Sequence, residues 1–190
     1  MNLGVSMNEI SARHMWSLTG KKDRQLVRSD WQPSDPIAIE GVRFKVIANV
    51  LTDNGALTEV FRFDWQLDCQ SVKHVFQRLL EPGTISAWHA HARTTDRLFC
   101  AFGRIKVVLF DARISSASHG RVAEFRMGSE RPGILVIPPG IWHGVQSTGS
   151  GPAVMLNVVD EAYDYEDPDH YRVPQDAPEV PYRFGAKPTQ

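Results

Sequence analysis

Between Gly41 and Val159 the chain is cut into short apolar runs by glycine, proline and aspartate turns, and no segment carries a long helical periodicity. That pattern leaves few folds open, because short strands must close on each other to bury one face and protect their edges. Strands are predicted at 42–51, 58–65, 72–80, 85–91, 97–102, 105–112, 122–126, 134–137, 144–147 and 153–159. Asp53-Asn54-Gly55 has the residues that close a hairpin through positive φ angles. The expectation is all-β, a jelly-roll barrel over residues 41–163. An arm over 1–40, with a short helix near Glu9–Leu18, would precede it, and an irregular, proline-rich tail over 164–190 would wrap it.

Within this frame one stretch concentrates chemistry. His89 and His91 are two apart on a strand, so they point the same way. Asp96 follows, and His143 arrives after Pro138-Pro139-Gly140. Strand parity puts Asp96, Leu98 and Cys100 on one face and Arg97 and Phe99 on the other, so Asp96 and Arg97 compete for the interior. The expectation is that Asp96 faces inward with the three histidines. His89, His91, Asp96 and His143 would then form a three-nitrogen, one-oxygen set suited to a divalent transition metal: Fe, Mn, Ni, Cu or Zn.

Gly83, His89-x-His91, Asp96 and Gly103 resemble the first signature of the cupin superfamily, with aspartate in place of its usual glutamate; Gly133 and Pro138-x-Gly140-x-x-His143 resemble the second. The resemblance implies a double-stranded β-helix with its site in the barrel mouth. A narrower resemblance covers residues 50–175. Gly103 through Arg113, Gly120 and Ile137 through Val145, with Asp53 through Glu59, look like the dTDP-4-dehydrorhamnose 3,5-epimerase family. That family removes protons beside the ketone of a dTDP-linked sugar, using a histidine base, a tyrosine acid and a basic residue near the enolate, without a metal. The chemistry needs those types, because an α-proton becomes acidic only when the enolate charge is stabilised and a near-neutral base is in reach.

The resemblance places His89 at the base, Arg97 at the basic residue and His143 at the histidine of the Pro-x-Gly segment, with Glu59, Asp111 and Arg113 also matching. Asn157, or Leu156 if the loop is counted one residue shorter, stands where the family has its tyrosine, Ser86 where it has an arginine before the base, and Asn54 and Leu57 where the early turn has arginine and an aromatic. His89, Arg97 and His143 are therefore the expected catalytic residues, and Glu59, Trp142, Asn157 and Tyr163 the expected substrate contacts. Asp111 with Arg113 reads as a structural ion pair. His14, His74, His119 and His170 receive no role, and Glu166 through Asp169 reads as a solvated loop.

Three functions stay open: an isomerase or epimerase of sugar nucleotides with an altered site, a metal-dependent isomerase or oxygenase acting on a small polar molecule, and a non-catalytic sugar-binding protein. With 21 basic against 22 acidic residues, nothing calls for a nucleic-acid or membrane surface. Two cysteines and no secretion-type start fit a cytoplasmic protein, and barrels of this kind pair readily as homodimers.

Overall fold

The computed structural model describes residues 25, 27–31, 39–68 and 71–185. The chain divides into two units, Met1–Pro36 with Pro188–Gln190, and Ile37–Lys187. In the first, Arg28 and Asp30 form an exposed ion pair of 2.8 Å. Most of the expected arm, including the helix near Glu9–Leu18, lies outside the described residues, as does Cys69.

Among the described residues the second unit has twelve strands: β1 (Arg43–Val46), β2 (Asn49–Thr52), β3 (Gly55–Thr58), β4 (His74–Leu80), β5 (Ile85–Ala90), β6 (Asp96–Phe102), β7 (Arg104–Asp111), β8 (Val122–Gly128), β9 (Gly133–Ile137), β10 (Ile141–Ser147), β11 (Ala153–Val159) and β12 (Tyr171–Arg172). They form two five-stranded antiparallel sheets, β1-β9-β6-β11-β4 and β12-β5-β10-β7-β8, and a separate β2-β3 hairpin. This is the jelly-roll barrel of the cupin type.

The turn at Asp53-Asn54 closes the β2-β3 hairpin as expected, but two strand predictions are corrected. The run 42–51 is interrupted between β1 and β2. The run 58–65 leaves extended structure and ends in a 3-10 turn over Phe63–Trp65, where Arg62 holds both Asp64 and Glu59. Local ion pairs at short spacing favour that turn over a ladder.

Alternation sorts the apolar side chains. Leu98, Cys100, Ile105, Val107, Leu109, Leu135, Ile137, Val145 and Met155 fill the space between the sheets. On the outer face of the second sheet, Trp88, Val108 and Phe110 are covered by Ala177, Val180 and Phe184 of the tail. The tail covers that outer face there and adds β12 to the edge of β5, a strand too short for its sequence to signal.

β5 carries a bulge where it meets β10: His89 pairs with His143 and Ser86 with Val145, so Ala87 and Trp88 together oppose Gly144. A Cβ on Gly144 would stand 2.5 Å from the Ala87 Cβ and 2.8 Å from Phe184, so the close approach requires glycine. The bulge puts Ser86 and His89, three apart, on one face, where His89 lines the cavity and Ser86 accepts from Arg78, which lines it too.

Candidate active site

A cavity of about 530 Å³ opens at one end of the barrel. β5 and the turn after it supply His89 and His91, β6 supplies Asp96, β10 supplies His143, and β11 supplies Asn157. Asp96 is 2% exposed and faces inward, as parity and the histidines led us to expect. Its Oδ2 lies 3.3 Å from His91 Nε2 and 3.2 Å from His143 Nε2. Its Oδ1 accepts a 2.7 Å hydrogen bond from Asn157 Nδ2, while Asn157 Oδ1 accepts one of 3.1 Å from the Arg97 backbone. Burial alone would raise the Asp96 carboxyl, but His143, His91 and Asn157 together hold it below the ordinary carboxylate value.

The histidines are fixed from behind. His143 Nδ1 lies 3.0 Å from the Ile141 carbonyl, and His91 Nδ1 contacts the Asp169 carbonyl. A carbonyl only accepts, so both Nδ1 atoms carry protons and both Nε2 atoms turn toward Asp96. His89 packs on His143 with ring centroids 4.1 Å apart, and its Nδ1 is buried without a hydrogen-bond partner. Burial first, and then His143, His170, His91 and Arg172, push its pKa far below the ordinary imidazole value. Burial thus favours the uncharged ring, which keeps a nitrogen lone pair free toward the cavity.

Several expectations are corrected. Arg97 does not face the cavity. It is fully buried on the other side of β6, with Nε and Nη2 donating to Asp68 at 2.7 and 2.9 Å and Nη1 donating to the Val158 carbonyl at 3.2 Å. Adjacent residues of a regular strand face opposite ways, so inward Asp96 sends Arg97 outward. Trp142 is separated from His143 by the same rule and packs with Phe110 and Val173 under the tail. Glu59 sits beyond β3, exposed and paired with Arg62 at 3.1 Å, away from the cavity. The four-ligand set contracts as well. Donor atoms of His91, Asp96 and His143 lie within 4.8 Å of one another, and His89 stands outside that trio.

Tyr163 does line the cavity, with Tyr165 packed on it at 5.1 Å and itself 88% exposed. Two histidines without an expected role also reach the wall, His74 from β4 and His170 from the tail. His170 lies 5.4 Å from His89 and 5.1 Å from His91 between ring centroids, and its Nε2 is buried without a hydrogen-bond partner. Burial and then the charge of His91 lower its pKa. The neighbouring loop is not merely solvated. Asp169 accepts from the backbone N–H groups of Ala92, Arg93 and Thr94 at 2.8–2.9 Å and from the Thr94 hydroxyl at 2.9 Å, tying the tail to the turn that carries His91. Nothing in the local sequence marks Asp169 or His170, because both act through a contact about 80 residues distant.

Arg78 reaches the cavity from β4, with Nη1 donating to Ser86 Oγ at 2.8 Å; Arg93 and Arg172 line it as well. Elsewhere, Asp111 is fully buried and bound by Arg113, Ser116 and Ser118, so the expected structural pair is part of a wider network that fastens the loop after β7.

Comparison with known proteins fits this geometry. The family described as dTDP-4-dehydrorhamnose 3,5-epimerase matches residues 37–186. The chain is 36% identical to the probable low-salt glycan biosynthesis epimerase Agl13 of Haloferax volcanii over 123 residues, 64% of this chain and 79% of that protein. It is 30% identical to the spore coat polysaccharide biosynthesis protein SpsL of Bacillus subtilis over 152 residues, 78% of this chain and 98% of SpsL. Among solved structures, a dTDP sugar isomerase from Desulfovibrio desulfuricans G20 superposes with a TM-score of 0.74 at 28% identity, covering 79% of this chain and 94% of that one. With its barrel, its His89 and its matched length taken together, the chain belongs to the dTDP-4-dehydrorhamnose 3,5-epimerase family.

Proposed function

We propose that the protein is an isomerase or epimerase that moves a proton beside the ketone of a sugar carried on a nucleoside diphosphate. The observation that carries this reading is His89, a buried imidazole facing a cavity of about 530 Å³, at the position that the resemblance gives to the family's base. The cavity size suits a sugar ring. Arg78, steadied by Ser86 Oγ, and Arg172 supply guanidinium groups for a diphosphate at the same wall. The Agl13 and SpsL relatives, described by their roles in glycan and polysaccharide biosynthesis, support a carbohydrate substrate.

In this reading His89 takes the α-proton and the nearby polar groups hold the carbonyl. Asn157 cannot donate a proton as a phenol does. Among the cavity-lining described residues Tyr163 is the phenol, and it is the group we assign to return a proton. We further propose a homodimer, supported by the β2-β3 hairpin, whose Val50, Leu51 and Leu57 are 56%, 83% and 62% exposed.

The test is proton exchange. Nucleotide-linked 4-keto-6-deoxysugars incubated with the protein in D2O should lose their α-proton signal by NMR. His89→Asn should slow that loss by about 10²–10⁴-fold, the usual contribution of a positioned base. Wild-type rates in the variant, or no thermal stabilisation of the protein by dTDP or UDP, would overturn the reading.

A further inference from the structure

His89 has a hydrogen-bonding demand that its own strand does not meet. The ring lines the cavity, and its Nδ1 is buried without a hydrogen-bond partner. A neutral imidazole holds one hydrogen on one of its two nitrogens. For Nε2 to take a proton from a substrate, Nδ1 must carry that hydrogen, and a buried N–H without an acceptor is unfavourable. The base therefore needs an acceptor beside it.

Among the described residues three imidazoles pack on His89: His143, His170 and His91, with ring centroids 4.1, 5.4 and 6.2 Å away. His143 has Nδ1 on the Ile141 carbonyl and Nε2 toward Asp96. His91 has Nδ1 on the Asp169 carbonyl and Nε2 toward Asp96. Both are fully engaged. His170 keeps Nε2 buried and without a partner, so it holds the spare acceptor of the cluster. Two imidazoles joined nitrogen to nitrogen by one hydrogen bond have centroids about 5 Å apart, and this pair lies at 5.4 Å with planes 30° apart. The bond is open in the ring orientations of the structure, and rotation about χ2, which is broad for histidine, is the movement that would close it.

Strand register delivers His170. Tyr171 pairs with Ala90 and Arg172 with His89, which sets His170 level with His91 along the same ladder. Period two then sends His170 and Arg172 toward the cavity and Tyr171, 56% exposed, away from it. Asp169, bound to the N–H groups of Ala92, Arg93 and Thr94, and the His170 N–H, donating to the Pro168 carbonyl at 2.8 Å, hold the approach. An apolar side chain would fill the same space without stranding a nitrogen, so packing gives no reason for an imidazole there.

We propose that His170 is a positioning residue that acts through His89: its Nε2 accepts from His89 Nδ1–H, which leaves His89 Nε2 as the lone pair facing the substrate. The hydrogen of His170 then sits on its own Nδ1. The contact sets both the tautomer and the ring direction of His89, as the third member of a nucleophile-base-orienter set does for its histidine. The role rests on the reading of His89 as the base given above. In the proton transfer the α-proton goes to His89 Nε2 and its electron pair to the carbonyl oxygen, while Nδ1–H stays on His170.

Tautomers are read on the resting protein, without substrate, by long-range 1H–15N correlation at neutral pH, with the His89 signals assigned by their absence in His89→Asn. Wild type should show the His89 hydrogen on Nδ1. His170→Leu deletes the acceptor and should lose that preference, whereas His170→Gln offers an amide oxygen in its place and should restore it. In the D2O exchange assay His170→Leu should lower kcat by about 10²-fold, as a misplaced catalytic group does, with KM within about threefold and His170→Gln within about tenfold of wild type. A His89 Nε2–H tautomer in wild type overturns the pairing, a result that depends on no variant folding. His170→Leu with wild-type tautomer or wild-type exchange overturns it as well, and His170→Gln failing as His170→Leu does assigns the loss to packing and overturns it too. Absence of exchange from wild-type protein that shows the His89 Nδ1–H tautomer would instead overturn the function and leave the pair standing.

Discussion

If Arg97 is structural, removing its charge should cost stability and leave proton transfer intact. Arg97→Met keeps the apolar stem and deletes the guanidinium. The side chain is fully buried, it holds Asp68 through two hydrogen bonds of 2.7 and 2.9 Å, and it stacks 5.6 Å from the Phe61 ring. Breaking a buried pair by removing one partner costs about 3–5 kcal/mol, chiefly because the other charge is left in a poor solvent. Asp68 retains 18% exposure and can regain some hydration, which points to the lower end, about 3 kcal/mol. For a chain of this size that lowers the melting temperature by about 6–12 °C. Denaturant unfolding of Arg97→Met, Asp68→Asn and the double variant measures the pair directly, and the double variant should lose less than the sum of the singles by about 1–3 kcal/mol. At a temperature where Arg97→Met remains folded, α-proton exchange should stay within about threefold of wild type, an effect of less than 1 kcal/mol on the barrier. A variant with wild-type stability and abolished exchange would refute this placement and return Arg97 to the catalytic machinery.

Two other outcomes follow from contacts around the site. Gly144→Ala forces a Cβ against Ala87 and Phe184, and because the Ala87 methyl has no rotamer to retreat into, unfolding should show a loss of about 1–3 kcal/mol. Asp169 is held near 2, since the N–H groups of Ala92, Arg93 and Thr94 and the Thr94 hydroxyl outweigh burial, which acts the other way. A carboxylate whose folded pKa is depressed stabilises above its unfolded value, near 3.9, and that contribution fades as pH falls toward 2. Asp169→Asn should therefore remove part of the acid-induced loss of stability in that window and speed amide exchange in the 92–94 turn at neutral pH; identical acid-unfolding curves for the two proteins would refute the capping role.

Period-two alternation made Asp96 and Arg97 an either-or choice in the sequence and set His89 and His91 on one face, because side-chain direction along a regular strand is a local property; His143 came from its Pro-x-Gly segment. The same parity, applied to Trp142, would have set it apart from His143; adjacency in the chain misled where direction decides. At β5 the rule itself gives way. The bulge opposite Gly144 lets Ser86 and His89 share a face that strict alternation denies them, and a bulge is set by the partner strand.

The sequence by itself determined the closed all-β barrel and the inward carboxylate with its histidines, since turn residues and alternation are written in neighbouring positions. Only the tertiary structure decided what faces them. Asn157, expected as a substrate contact, anchors Asp96, Arg78 arrives at Ser86 from another sheet, and the tail brings Asp169 and His170 to the cavity. These are pairings between distant parts of the chain, fixed when the sheets close and the tail adds its strand, and no local pattern encodes them.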